Sequence, residues 1–304
     1  MRVSTAMGAA CLAVLLSLAT HAEGQAVRTM TGSVLGQTSG NVTSFKGIPL
    51  AAPPVRENRW RAPQPAAAWS GVRDATHFGY DCAQARFRGG EAPLETTPSE
   101  DWLYLNVWRP SGAKAGDGLP VFFWIYGGGW VFGGTLSRIY SGRNFARDGI
   151  IFVSANYRVG SFGFFAHPAL FAAGVGGNFG FLDQNAALKW VRANIAAFGG
   201  DPGRVPVMGE SAGGMSIHML LQSPLARGLF PQAIIESGGG PREHNATPGL
   251  GAGGRNWCGL RARDDRRAVA GPVGGSGNRC VEHRRIPEQP RKDRHSAHLP
   301  GVAR

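Results

Sequence analysis

The chain has 304 residues, 43% of them hydrophobic and 17% charged, which suits a globular protein with a sizeable core and excludes a wholly disordered one. A formal net charge of +12 raises nucleic acid or an anionic surface as a partner. Residues 241–304 alone hold 13 Lys+Arg against 6 Asp+Glu, so most of the excess belongs to the last stretch, which argues against a basic binding face on the rest.

The first residues predict a secretory signal over 1–22. Arg2 supplies a positive charge, CLAVLLSLA is a short apolar run, and Thr20-His21-Ala22 ends in a small residue where a peptidase can cut. The run is too short to span a bilayer; the other reading is a buried N-terminal helix. Cys11 lies before the apolar run ends, unlike a lipoprotein cysteine. No later stretch is long and apolar enough for a membrane span, so the mature chain is expected to be secreted or periplasmic, without an integral membrane segment. Beyond the leader, Cys82, Cys258 and Cys280 are an odd number, which leaves at least one thiol unpaired or pairing between chains.

From Val27 to about Gly240 strands and helices alternate. VFFWI (121–125) and IIFVSA (150–155) are continuous apolar runs, as expected for strands covered on both faces. Leu188, Val191, Ile195 and Phe198 recur at helical spacing, and Gly199-Gly200 closes that segment as a helix C-cap does. VPVM (205–208), a glycine-bounded turn, a helical stretch to about Gln222 and AIIES (233–237) follow. The order predicts an α/β fold, a mostly parallel central sheet with helices on both faces. Residues 241–304 carry one aromatic residue, Trp257, and no period; they are expected to be disordered.

Gly209-Glu210-Ser211-Ala212-Gly213 fits G-x-S-x-G between an apolar strand and a helix. In that setting the serine sits on a strained turn with its Oγ exposed, and the glycines remove side chains that would collide with neighbouring backbone. The helix N-terminus after Ser211 offers free N–H groups to an oxyanion. The competing reading is a structural glycine-rich turn. Upstream, WIYGGGW (124–130) places three glycines directly after a strand. Backbone N–H groups there can face a cavity without side chains in the way; alone, the segment reads equally well as a flexible loop.

Together these segments resemble the type-B carboxylesterases, the family of the cholinesterases. The resemblance runs through FKGIPLAAPP (45–54), SEDWLYLNVWRP (99–110), WIYGGGWVFGG (124–134), NYRVGSFGF (156–164), NFGFLDQNAALKWVRANIAAFGGDP (178–202) and VMGESAGG (207–214), in the family's order, over residues 23–240. It implies the N-terminal part of an α/β-hydrolase domain and a carboxylic ester hydrolase with a Ser-Glu-His triad. Ser211 would be the nucleophile of an acyl-enzyme, and the N–H groups of Gly128, Gly129 and Ala212 the oxyanion donors. Tyr126 stands where many esterases have histidine. Glu210 lies near the family's active site without being its acid, and Arg158 with Asp183 looks like a structural ion pair. The implied partner is a small carboxylic ester; no cofactor, metal or nucleic acid is expected.

Three departures from the family pattern stand out. Trp102 replaces the cysteine that would pair with Cys82, and no tryptophan between them matches the choline-binding one, which counts against a choline ester. Pro206 falls inside the predicted strand before Ser211 and would remove a ladder hydrogen bond. The family's acid and histidine lie far beyond Ser211, whereas the histidines after it here are His218, His244, His283, His295 and His298. His218 is seven residues along the same helix, about 10 Å away, and is expected to pack in the core; the others lie in the basic tail. Neither triad partner is expected in this chain. A truncated or frameshifted esterase of little activity is the leading expectation; a fragment-sized protein with a disordered tail is the other reading. A non-catalytic cholinesterase-like binding module is the alternative function.

Overall fold

The computed structural model describes residues 24–85 and 96–239. The leader expected at 1–22 and the tail at 241–304, with Cys258, Cys280 and the four tail histidines, lie outside the described residues.

Short extended segments dominate the N-terminal third. β1 (Ala26–Arg28) and β2 (Ser33–Leu35) pair antiparallel. β3 (Gln37–Ser39) and β4 (Val42–Pro49) form a hairpin over Gly40-Asn41, where Gly40 takes a φ of +61, as a two-residue hairpin turn requires. β5 (Val72–Asp74) runs parallel to β2 and completes a three-stranded sheet. Next come β6 (Tyr104–Pro110), β7 (Val121–Ile125), α1 (Arg143–Arg147) and β8 (Ile151–Ala155). Two short helices, α2 (Gly160–Gly163) and α3 (Pro168–Ala172), precede the long α4 (Phe179–Asn194). β9 (Val207–Glu210), α5 (Ala212–Gln222) and β10 (Ala233–Glu236) close the described chain.

The larger sheet has seven strands in the order β10-β9-β7-β8-β6-β4-β3. β8, β7, β9 and β10 are parallel neighbours, because helical crossovers return each strand to the same starting edge. β8, β6, β4 and β3 are antiparallel neighbours. The α/β class expected from the sequence therefore holds, with a mixed sheet among the described residues. The antiparallel flank lacks the long helical crossovers that mark the other half.

Register shows how both faces are covered. Phe45, Val107, Val153, Phe123 and Val207 stand side by side across five strands. Phe45 meets Phe198 edge-on at 5.0 Å, and Phe198 contacts Trp190 of α4, so this face looks onto α4 and the 3-10 turn Ile195–Phe198 that follows it. One residue along, Trp108, Phe152 and Phe122 face the other way, and both phenylalanines contact Phe145 of α1. Burying each such ring contributes about 1.5–3 kcal/mol. Leu188, Val191, Ile195 and Phe198 are all buried, and Gly199 ends the segment at φ +94, as its C-cap position demands. Pro206 differs from expectation: it immediately precedes β9, where its carbonyl accepts the Phe123 N–H at 3.0 Å. A missing N–H is tolerated at a strand's entry.

Candidate active site

β9 ends at Glu210 and α5 begins at Ala212, so a single residue, Ser211, makes the whole turn between them. It does so at φ 53, ψ −120, a conformation that costs a non-glycine residue about 1–3 kcal/mol and persists only where its surroundings over-determine it. The surroundings are visible. The Ser211 N–H donates to Glu236 O of β10 at 2.8 Å. A Cβ on Gly213 would run into the Ile125 carbonyl oxygen, and one on Gly209 would sit 2.6 Å from the Gly213 carbonyl carbon. Main chain presses on the turn from both sides, and only glycine fits.

β7 lies beside β9 in parallel, with Ile125 opposite Gly209, so the glycine run after β7 emerges at the same edge as Ser211. A Cβ on Gly127 would lie 3.1 Å from Ser211 Cβ. Gly128 and Gly129 take φ values of +103 and +62, which curl the run into a turn whose Gly128 carbonyl accepts the N–H groups of Val131 and Phe132 at 3.0 and 3.2 Å. Among the described residues the N–H groups of Gly128, Gly129 and Ala212 have no acceptor. Ala212 is the first residue of α5, where an N–H lacks an intrahelical partner and the helix dipole is positive. A strained serine beside open backbone donors is the arrangement that acyl transfer requires.

A sequence model of the carboxylesterase family matches residues 23–248. The chain belongs to that family. It is 45% identical over 251 residues to the fumonisin B1 esterase of Sphingopyxis macrogoltabida, covering 78% of this chain and 46% of that protein. It is 48% identical over 219 residues to the para-nitrobenzyl esterase of Bacillus subtilis (strain 168), covering 70% and 44%. Among solved structures a PNB esterase is 47% identical with a TM-score of 0.64, covering 72% of this chain and 44% of that one. A thermophilic PNB esterase is 46% identical with a TM-score of 0.65 and the same coverage. The chain thus spans a little under half the length of these relatives.

Within this carboxylesterase fold no histidine among the described residues partners Ser211. Its Oγ has no hydrogen-bond partner among the described residues. His77 is on the surface beside Asp74, and His167 caps α3 by accepting the Ala169 N–H at 3.1 Å. His218 lies on α5 but is only half-buried. The core face of that helix is taken by Gly213, Gly214, Ser216, Ile217 and Leu220, which corrects the expectation of a core histidine.

Supporting residues around the carboxylesterase turn were only partly visible in sequence. Tyr126 and Tyr157, which follow β7 and β8, stack at 4.3 Å, and each phenol donates to the other's main-chain carbonyl at 2.9 Å. Burial pushes both phenols well above their usual range, so they remain neutral donors. Gln84 pairs its side-chain amide with both the N–H and the carbonyl of Gly133 at 2.7 Å. Arg158 and Asp183 form the expected ion pair, fully buried, with two guanidinium bonds of 2.7 Å and a third from the Arg158 main chain. Burial pushes the Asp183 carboxyl up, and the Arg158 contacts pull against it. Cys82 is a free, buried thiol, held neutral by burial. Trp102, where the resemblance led to the expectation of a cysteine, is fully buried against Phe162. No helix among the described residues is long and apolar enough to cross a membrane.

Proposed function

We propose that this chain carries the nucleophile-bearing half of a serine carboxylic ester hydrolase. Ser211 Oγ attacks the ester carbonyl carbon, its proton passing to a general base outside the described residues. The carbonyl oxygen becomes an oxyanion that accepts from the N–H groups of Gly128, Gly129 and Ala212. Collapse expels the alcohol, which takes up the proton, and water then hydrolyses the acyl-enzyme. The reading extends to an exported protein whose residues 1–22 are a signal and whose partner is a small ester rather than a nucleic acid. What carries it is the strained Ser211 with Gly127 packed against its Cβ. Strain of that kind in a family of esterases is retained for the nucleophile.

The test is covalent labelling by a fluorophosphonate, read by mass spectrometry of the full chain and of Ser211→Ala. A single adduct on Ser211, absent from the variant, is the expected result. An unlabelled protein, or an adduct on another residue, would favour a non-catalytic binding module.

A further inference from the structure

Trp130 is the last residue of the glycine turn and, unlike the glycines before it, adopts a left-handed φ of 59 with a large side chain. Its indole N–H reaches α5 and donates to Ser216 Oγ at 2.9 Å. Ser216 is fully buried. Its Oγ also accepts from Gln184 Nε2 of α4 at 3.1 Å and donates to the Ala212 carbonyl at 2.8 Å. A hydroxyl has one donor and two acceptor sites, so its capacity is completely used. The bond to the Ala212 carbonyl holds the first turn of α5, and the bond from Trp130 holds the loop bearing Gly128 and Gly129. Trp130 O also accepts the Gly160 N–H at 2.6 Å, and the ring packs on Phe164 and Phe181. We infer that Trp130 is a positioning residue: through Ser216 it sets the spacing between the loop donors Gly128 and Gly129 and the helix donor Ala212. The inference rests on the proposed reading of those three N–H groups as oxyanion donors. Trp130 itself touches no reacting atom.

The experiment compares the full chain with Trp130→Phe, which keeps the ring and loses the donor, and Ser216→Ala, which removes the hub. Two readouts are taken: deuterium exchange at the Val131 and Phe132 amides, which close the turn, and fluorophosphonate kinetics split into kinact and KI. Exchange is expected to rise and kinact to fall about tenfold each, the equivalent of one hydrogen bond, with KI and the melting temperature of Trp130→Phe nearly unchanged. Unchanged exchange in both variants overturns the anchor whatever the chemistry. Raised exchange with an unchanged kinact overturns the positioning role. A wild-type chain that exchanges as expected yet never labels at Ser211 overturns the functional reading instead, and the exchange data still decide for or against the anchor.

Discussion

The antiparallel flank of the sheet and the parallel flank bury similar side chains, yet strain collects on one of them. β3, β4 and β6 have ordinary strand geometry apart from the irregularity between Phe45 and Ile48, where Gly47 takes φ +64 and its N–H is received by Asn106 Oδ1. Of the five non-glycine residues with positive φ among those described, Trp130, Ser211 and Ser237 follow the ends of β7, β9 and β10, while Arg56 and Trp60 lie in the connection between β4 and β5. Parallel neighbours share one direction, so their carboxyl ends gather at one edge, whereas antiparallel neighbours scatter theirs between two. The edge that gathers ends is where loops can converge on a common space. On the proposed reading, the difference separates what holds the fold from what does chemistry.

The largest expected effect tests the quiet flank. Phe45→Ala leaves a cavity beneath Phe198 and Arg109, whose guanidinium lies 5.2 Å from the ring centre. Removing such a ring costs about 3–5 kcal/mol. Urea unfolding should show that loss, while the rate of labelling at Ser211 in the remaining folded protein stays within about twofold, an allowance below the 1.4 kcal/mol that a tenfold change represents. A labelling rate that fell with stability would erase the distinction between the flanks.

Gly213→Ala is the converse, with a smaller loss of stability and a larger one of chemistry. The added methyl meets the Ile125 carbonyl oxygen and lies near that of Tyr126, neither of which is a flexible side chain. Overpacking of this kind costs about 1–3 kcal/mol. The turn must open to admit the methyl, so labelling should fall at least about 100-fold, the scale of a lost oxyanion donor. Stability and labelling that fell in the ratio seen for Phe45→Ala would remove the special status of the turn.

These contrasts also mark what could be read from the residues alone. VFFWI is β7 to the residue, because an unbroken apolar run between helices has few other solutions. Gly199 closes its helix, and Ser211 stands at the strand-to-helix junction, since both depend on local backbone that glycine spacing reports. The antiparallel flank was not legible: three-residue strands such as β3 carry too little period, and their pairing is decided by tertiary contact. Trp130, Ser216, Gln184 and Gln84 escaped for a different reason. Their hydrogen bonds join residues 86, 32 and 49 positions apart, and nothing in local pattern records a partner at that range. A polar residue on the apolar face of α5, five positions after Ser211, is the one trace Ser216 leaves.

The smallest expected effect concerns the tyrosine pair that ties β7 to β8 just before the glycine run. Tyr157→Phe deletes one donor and leaves the Tyr126 carbonyl without it, a change worth about 1 kcal/mol near neutral pH. Alkaline pH amplifies it. Burial raises the Tyr157 phenol above its ordinary value of 10.0, so the folded chain keeps a proton that the unfolded chain releases. Stability conferred by the neutral phenol is complete below about pH 10 and is lost as pH rises beyond it, with a slope approaching about 1.4 kcal/mol per pH unit for each such group. Tyr157→Phe cannot release that proton. It should therefore start less stable at pH 8 and lose stability less steeply above pH 10, with Tyr126, Tyr104 and the Cys82 thiol, all raised by burial, supplying what remains of the slope. Urea midpoints at pH 8, 10 and 11 give the comparison directly. Parallel pH profiles for the two proteins would mean that Tyr157 titrates alike folded and unfolded, and that the reciprocal bonds do not hold the two strand ends together.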